Sequence, residues 1–340
     1  MTKRPVFFMQ DGAIDELLCI PFVQSMANCA LAGVWVTPAD CLGQPTVEAS
    51  RRMLAFTKTR PGSIAVMVSN SSSERPFPWA YRQYSMMVNL LPPLNTPDVI
   101  SGMNKYPATA YRTMGPAPLA PRQVDKLRDT MRRSTDAAGS GYVFLCTGPL
   151  TDLAWLLQVA PELANEISSI VWMGGSILNV PKPVGGNVDT GIAPGANPNA
   201  EWNAYWDPAA VEAVWATGIP FHLFPLNVTN KVFLTPEVLK EYLLPLAQKS
   251  ETVNLAAQMY ALVAFEGGYS FWDTVTAAYL GKPSLFTFAR KRLHIVTDES
   301  SAKLGNITTA TSGGYSISVA QTVKVDGFYK YFVKQLSSLG

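Results

Sequence analysis

Short apolar runs alternate along this chain with longer stretches whose apolar positions recur at helical spacing. The first run, PVFFM at 5–9, predicts a buried strand, and residues 15–28 predict a helix opened by acids. Further strands are expected at 29–38, 63–70, 141–148, 167–175 and 220–228. Helices are expected at 46–58, 122–137, 150–159 and 207–216. Two helical stretches cover roughly 235–282, and the last part of the chain reads as strand-rich. Residues 71–121, rich in Pro, Ser and Asn, read as a long excursion, and 178–199 as a Gly/Pro/Asn loop.

Strands that are apolar throughout are buried on both faces, and the helices between them supply parallel crossovers. The pattern therefore predicts an α/β fold with a mostly parallel sheet covered on both sides. The length, 340 residues, suits one large α/β domain and leaves room for two. In such sheets, ligands bind beyond the carboxyl ends of the strands. Polar and turn residues stand there: Asp11-Gly12, Thr37-Pro38-Ala39-Asp40, Thr147-Gly148-Pro149, Gly174-Gly175 and Asn227-Val228-Thr229-Asn230.

Composition narrows the function. Hydrophobic residues make up 48% and charged residues 15%, enough to bury a large core and too apolar for disorder. A net charge of +2 gives no field for nucleic acid. The basic groups Arg51-Arg52, Arg132-Arg133 and Arg290-Lys291-Arg292 read as solvated structural faces. Four scattered cysteines, Cys19, Cys29, Cys41 and Cys146, form no CxxC and suit reduced thiols in the cytoplasm. No apolar run approaches the ~20 residues that span a bilayer, so no membrane partner is expected.

Chemistry narrows it further. Neither GxxxxGK[ST] nor GxGxxG follows the first strand, which removes the strongest support for nucleotide triphosphates and dinucleotides. The two histidines, His222 and His294, lie in apolar runs and read as core residues. Two are too few for a His-rich zinc site. Oxygen ligands remain, and they suit a hard cation such as calcium or magnesium. The stretch FFMQDGAIDELL at 7–18 sets Asp11, Asp15 and Glu16 close together, either as a helix start or as a metal site.

Several segments resemble the nucleoside hydrolase family, which cleaves the N-glycosidic bond of ribonucleosides. They are FFMQDGAIDE, VTPADC, CTGPLTDLAW, IVWMGG, GGNV, NAEWNAYWDPAA and GYSFWDTVTAAY, in this order. The likeness is greatest to the purine-specific, inosine-adenosine-guanosine-preferring branch known from trypanosomatids. It implies a single domain over 1–340 with a mixed, mostly parallel, Rossmann-like sheet. It also implies a bound calcium ion, a small-molecule purine nucleoside as substrate, a role in purine salvage and a homodimer.

By the same resemblance, Asp11, Glu16, Asp273 and the Thr147 carbonyl hold the calcium ion, and Asp11 is the general base that activates a calcium-bound water. Asp15, Met173, Asn187, Glu201, Asn203 and Asp273 contact the ribose. Asp40, Tyr269, Trp272 and either Trp79 or Tyr81 contact the base. Trp272 stands where pyrimidine-tolerant branches carry a histidine acid. The chain departs from the pattern at Met9, in place of an acid, at Ala13, in place of an asparagine, and at Glu16, in place of the shorter Asp. Met9 and Ala13 support an alternative, a catalytically weak nucleoside-binding protein. A cation-dependent phosphohydrolase fits less well, because no Lys or Arg stands near the strand ends to grip phosphate.

Overall fold

The computed structural model describes residues 3–59, 63–69, 82–103, 108–109, 125, 129, 141–181, 183–189, 195–264 and 267–339. Among them, ten strands form one sheet. They are β1 (Arg4–Gln10), β2 (Cys29–Val36), β3 (Ala65–Val68), β4 (Ala108–Thr109), β5 (Tyr142–Cys146), β6 (Ile167–Met173), β7 (Phe221–Phe224), β8 (Phe286–Ile295), β9 (Ile307–Thr309) and β10 (Tyr315–Val323). Their order is β4-β3-β2-β1-β5-β6-β7-β10-β8-β9. The first eight in that order pair in parallel, while β8 and β9 join antiparallel at one edge. This is the mixed, mostly parallel α/β fold that the sequence predicts.

Side chains of β1 divide between two cores, as the two-residue period of a strand requires. Val6 and Phe8 pack on one face against α1 (Ile14–Ser25), and α2 (Gly43–Phe56) belongs to the same core. Phe7 and Met9 pack on the other face, in the core that holds α3 (Thr151–Val159). The chain runs from β1 outward to β4, then returns to β5 on the other side of β1. The strand order therefore reverses between β1 and β5, and open α/β sheets place ligands at that point.

Two differences from the sequence reading have simple causes. The strand expected at 220–228 stops at Phe224, because Pro225 lacks an N–H and a helical turn, Leu226–Thr229, begins after it. The C-terminal part holds the expected strands but ends in an unforeseen amphipathic helix, Val325–Ser337. Its Phe328, Tyr329, Tyr331 and Phe332 are buried, and so many aromatics mimic a strand in sequence. The helix expected at 122–137 lies outside the described residues except at Asp125 and Asp129, which are helical.

The polar readings also need correction in places. Arg52 is not solvated: it is buried, paired with Glu48 at 2.6 Å and bonded to the Leu94 carbonyl at 2.9 Å. His294 is exposed, because β8 lies near the antiparallel edge and there turns its neighbours Leu293 and Ile295 inward. His222 is half-buried against Tyr279 and Phe288, ring centroids 5.0 and 5.6 Å away. All four cysteines are buried, and none is joined in a disulfide. No helix among the described residues is long and apolar enough to cross a membrane.

Candidate active site

At the reversal point a cavity of about 280 Å³ opens beyond the strand ends. Its walls include Asp11, Asp15, Glu16, Asp40, Thr147, Met173, Asn187, Glu201, Asn203, Tyr269, Trp272 and Asp273. Every site residue expected from the sequence is there except Trp79 and Tyr81, which lie outside the described residues.

Asp11 follows β1 directly, and Thr147 follows β5. The Thr147 N–H donates to the Met9 carbonyl at 2.9 Å, so pairing of the two strands sets Asp11 and Thr147 side by side. Gly12 makes the turn after Asp11 with φ +101°, a region that favours glycine. A Cβ there would also collide with the Thr46 side chain. Asp15 and Glu16 then fall in the first turn of α1, and neither caps it. The acids thus open the helix without capping it, and both line the cavity.

Asp15, Glu16 and Asp273 bring carboxylate oxygens within 4.8 Å of one another. Asp273 arrives from the first turn of α5 (Trp272–Gly281), and its N–H donates to Asp15 Oδ2 at 2.9 Å. The Tyr269 hydroxyl donates to Asp15 Oδ1 at 2.6 Å. Asp15 therefore has a protein donor on each oxygen. By contrast Asp11 Oδ1, Glu16 Oε2 and Asp273 Oδ1 are buried without a partner. Glu16, one methylene longer than the Asp of the family pattern, still brings a carboxylate oxygen to the group with Asp15 and Asp273. The extra length does not take it out of the cluster.

Burial pushes all these carboxyls up. Asp11 rises to about 7, chiefly by loss of solvent, with the charges of Glu201 and Asp15 adding to it. Asp15 rises for the same first reason, and Glu16 and Asp273 rise well above the usual range, first by burial, then Glu16 under the charge of Asp273 and Asp273 under those of Asp15 and Asp11. Asp40 rises too, by burial and then by Asp11 and Asp15, against the pull of Arg82. Among the described wall residues there is no Lys or Arg. The buried, unpartnered carboxylate oxygens of Asp11, Glu16 and Asp273 fit a hard divalent cation.

The facing wall is built by a short helix, α4 (Trp202–Trp206), capped by Glu201. Glu201 accepts from the N–H groups of Gly175 at 2.6 Å, Asn203 at 3.0 Å and Ala204 at 3.1 Å. Even so, burial lifts its carboxyl to about 7. Asn203 donates to the carbonyls of Thr147 at 3.0 Å and Met173 at 3.1 Å. Asn187 accepts from the Trp202 N–H at 3.0 Å. Two carboxamides and a carboxylate thus converge opposite the acidic cluster.

Tyr269 and Trp272 pack edge to face, centroids 4.8 Å apart. Tyr84, Trp202 and Trp206 also line the cavity, and the sequence reading did not assign them. Both tryptophans stand in the quoted AEWNAYWDP, where aromatic residues beside a capping acid were the available signal. Met9, which stands in place of the family's acid, lies in the core behind β1 and does not line the cavity. Ala13 does line it.

This arrangement, acids at a parallel-sheet switch point facing a polar and aromatic wall, defines a class of ligand site that known proteins share. A family model described as inosine-uridine preferring nucleoside hydrolase matches residues 6–330. The chain belongs to the nucleoside hydrolase family. It is 28% identical over 217 residues to the non-specific ribonucleoside hydrolase RihC of Escherichia coli, a match covering 62% of this chain and 64% of RihC. The matched part thus spans just under two thirds of these curated relatives. The solved inosine-uridine preferring nucleoside hydrolase of Bacillus anthracis is similar at 31% identity and TM-score 0.81, over 98% of this chain and 99% of that one. The purine-preferring ribonucleoside hydrolase of Gardnerella vaginalis shares the fold at 22% identity and TM-score 0.70, over 99% of each chain.

Proposed function

We propose that this protein hydrolyses the N-glycosidic bond of purine ribonucleosides, with calcium as its metal. The observation that carries the reading is the set of unpartnered oxygens of Asp11, Glu16 and Asp273 in the same cavity that Asn187, Glu201 and Asn203 line. Asp11, Glu16, Asp273 and the Thr147 carbonyl would hold the ion. When bound, calcium makes its water easier to deprotonate.

The protein's own residues do the rest. Asp11 takes the proton of the attacking water through Oδ1. Glu201 spends three of about four lone-pair sites on backbone donors, which leaves one for a ribose hydroxyl. Asp15, Asn187, Asn203 and Met173 complete the sugar's surroundings. The carboxylates favour positive charge as it grows on the ribose ring.

Purine preference rests on what the base wall holds. Neither histidine of the chain lines the cavity, so no imidazole is there to protonate the leaving base. Trp272 supplies an aromatic face against which a purine can stack, with Asp40 at the base edge, and solvent then protonates the ring nitrogen. The homodimer and the cytoplasmic setting belong to the same reading. The test is to incubate the protein with calcium and inosine, guanosine, adenosine or uridine, and to measure free base and ribose. Purine release faster than uracil release is expected. No base from any nucleoside would overturn the reading, and equal turnover of uridine would overturn the purine preference.

A further inference from the structure

We infer that Asn230 is the positioning residue that sets the plane of Trp272, an inference that rests on the proposed hydrolase reading. The Trp272 indole Nε1–H donates to Asn230 Oδ1 at 2.7 Å. Asn230 does not line the cavity, so the polar edge of the indole is spent on a residue outside it. Trp272 then has no hydrogen bond to offer a base and presents only its ring.

The backbone explains why Asn230 stands opposite Trp272. Asn230 closes the helical turn after β7, its N–H donating to the Leu226 carbonyl at 3.1 Å. The chain then runs beside 269–271. The Phe271 N–H donates to Val232 at 2.9 Å, the Leu234 N–H to Tyr269 at 2.9 Å, and Phe233 bridges Ser270. The Asn230 side chain extends this pairing by one rung to Trp272. With Tyr269 packed against the ring at 60°, the indole is held at its polar edge and by a neighbouring ring. Rotation of the indole is the freedom this removes, and a stacking surface that rotates stabilises a leaving purine less.

The experiment compares two ribosides in wild type, Asn230→Ala and Asn230→Asp. Inosine needs its base protonated and stacked. A p-nitrophenyl riboside releases a stable phenolate and needs neither. Loss of one neutral hydrogen bond corresponds to roughly two- to tenfold. Asn230→Ala is therefore expected to lower kcat/KM for inosine by about that factor, to leave the nitrophenyl riboside nearly unchanged, and Asn230→Asp, which keeps an acceptor, to restore inosine turnover. Unchanged inosine turnover, or an equal fall for both ribosides, would overturn the role. Inosine quenching of tryptophan fluorescence, with Trp272→Phe defining the Trp272 share, reads the contact without turnover. Unchanged quenching in Asn230→Ala overturns it too. A wild type that binds inosine but releases no hypoxanthine would instead sink the hydrolase reading.

Discussion

Asn203 Nδ2 donates to the Thr147 carbonyl at 3.0 Å and so fastens α4 to the loop after β5. The same amide reaches the Met173 carbonyl. Asn203→Ala leaves two buried carbonyls without this partner. The expected loss is about 1–3 kcal/mol of folding stability, read as a lower urea midpoint at unchanged slope. An unchanged midpoint would show that the fastening contributes nothing.

Glu201 gathers three backbone donors onto one carboxylate. Glu201→Gln keeps the shape but turns an amide NH2 toward one of those N–H groups. It should cost about 0.5–2 kcal/mol as a lost helix cap and raise KM for nucleosides. Thermal unfolding and steady-state kinetics check the two parts. A melting temperature and KM equal to wild type would contradict both.

The Gly12 turn aims Asp11 into the cavity. Gly12→Ala meets two separate penalties, the positive φ and the clash with Thr46. The backbone part is about 1–2 kcal/mol. Adding Thr46→Ala should recover the steric share and leave the backbone share, which urea unfolding of the single and double variants can separate. Full recovery in the double variant would mean that the backbone conformation costs nothing.

The acid cluster couples stability to pH. Asp11 is raised to about 7, and Asp15, Glu16 and Asp273 are raised as well. Between the ordinary carboxylate range and those values the folded, metal-free protein holds protons that the unfolded chain has lost. Its stability must therefore fall as pH rises through this window. A cation competes with those protons, so calcium should stabilise more at higher pH. Melting temperatures in chelator and in calcium, from about pH 5 to about pH 8, should diverge as pH rises. A constant gap would contradict the coupling.

Much of this was legible in the sequence, for identifiable reasons. Runs such as YVFLC and the IVWM end of β6 are buried on both faces, and nothing but a covered strand suits them. The acids after β1 and α5's Asp273 stand in quotable motifs. What the sequence hid depends on partners far away in the chain. Whether Asp15 or Glu16 keeps unpartnered oxygens depends on Tyr269, more than two hundred and fifty positions distant. That Met9 turns into the core follows from strand parity, while the helix at Val325–Ser337 was masked by its own aromatic residues.

The most direct test of the account is the rate of hypoxanthine release from saturating inosine in calcium, compared between wild type and Asp11→Asn. A positioned general base contributes about 10²- to 10⁴-fold, so kcat should fall by that much while inosine binding, measured by fluorescence, persists. An Asp11→Asn enzyme within about twofold of wild type would contradict the assignment of Asp11 as the base.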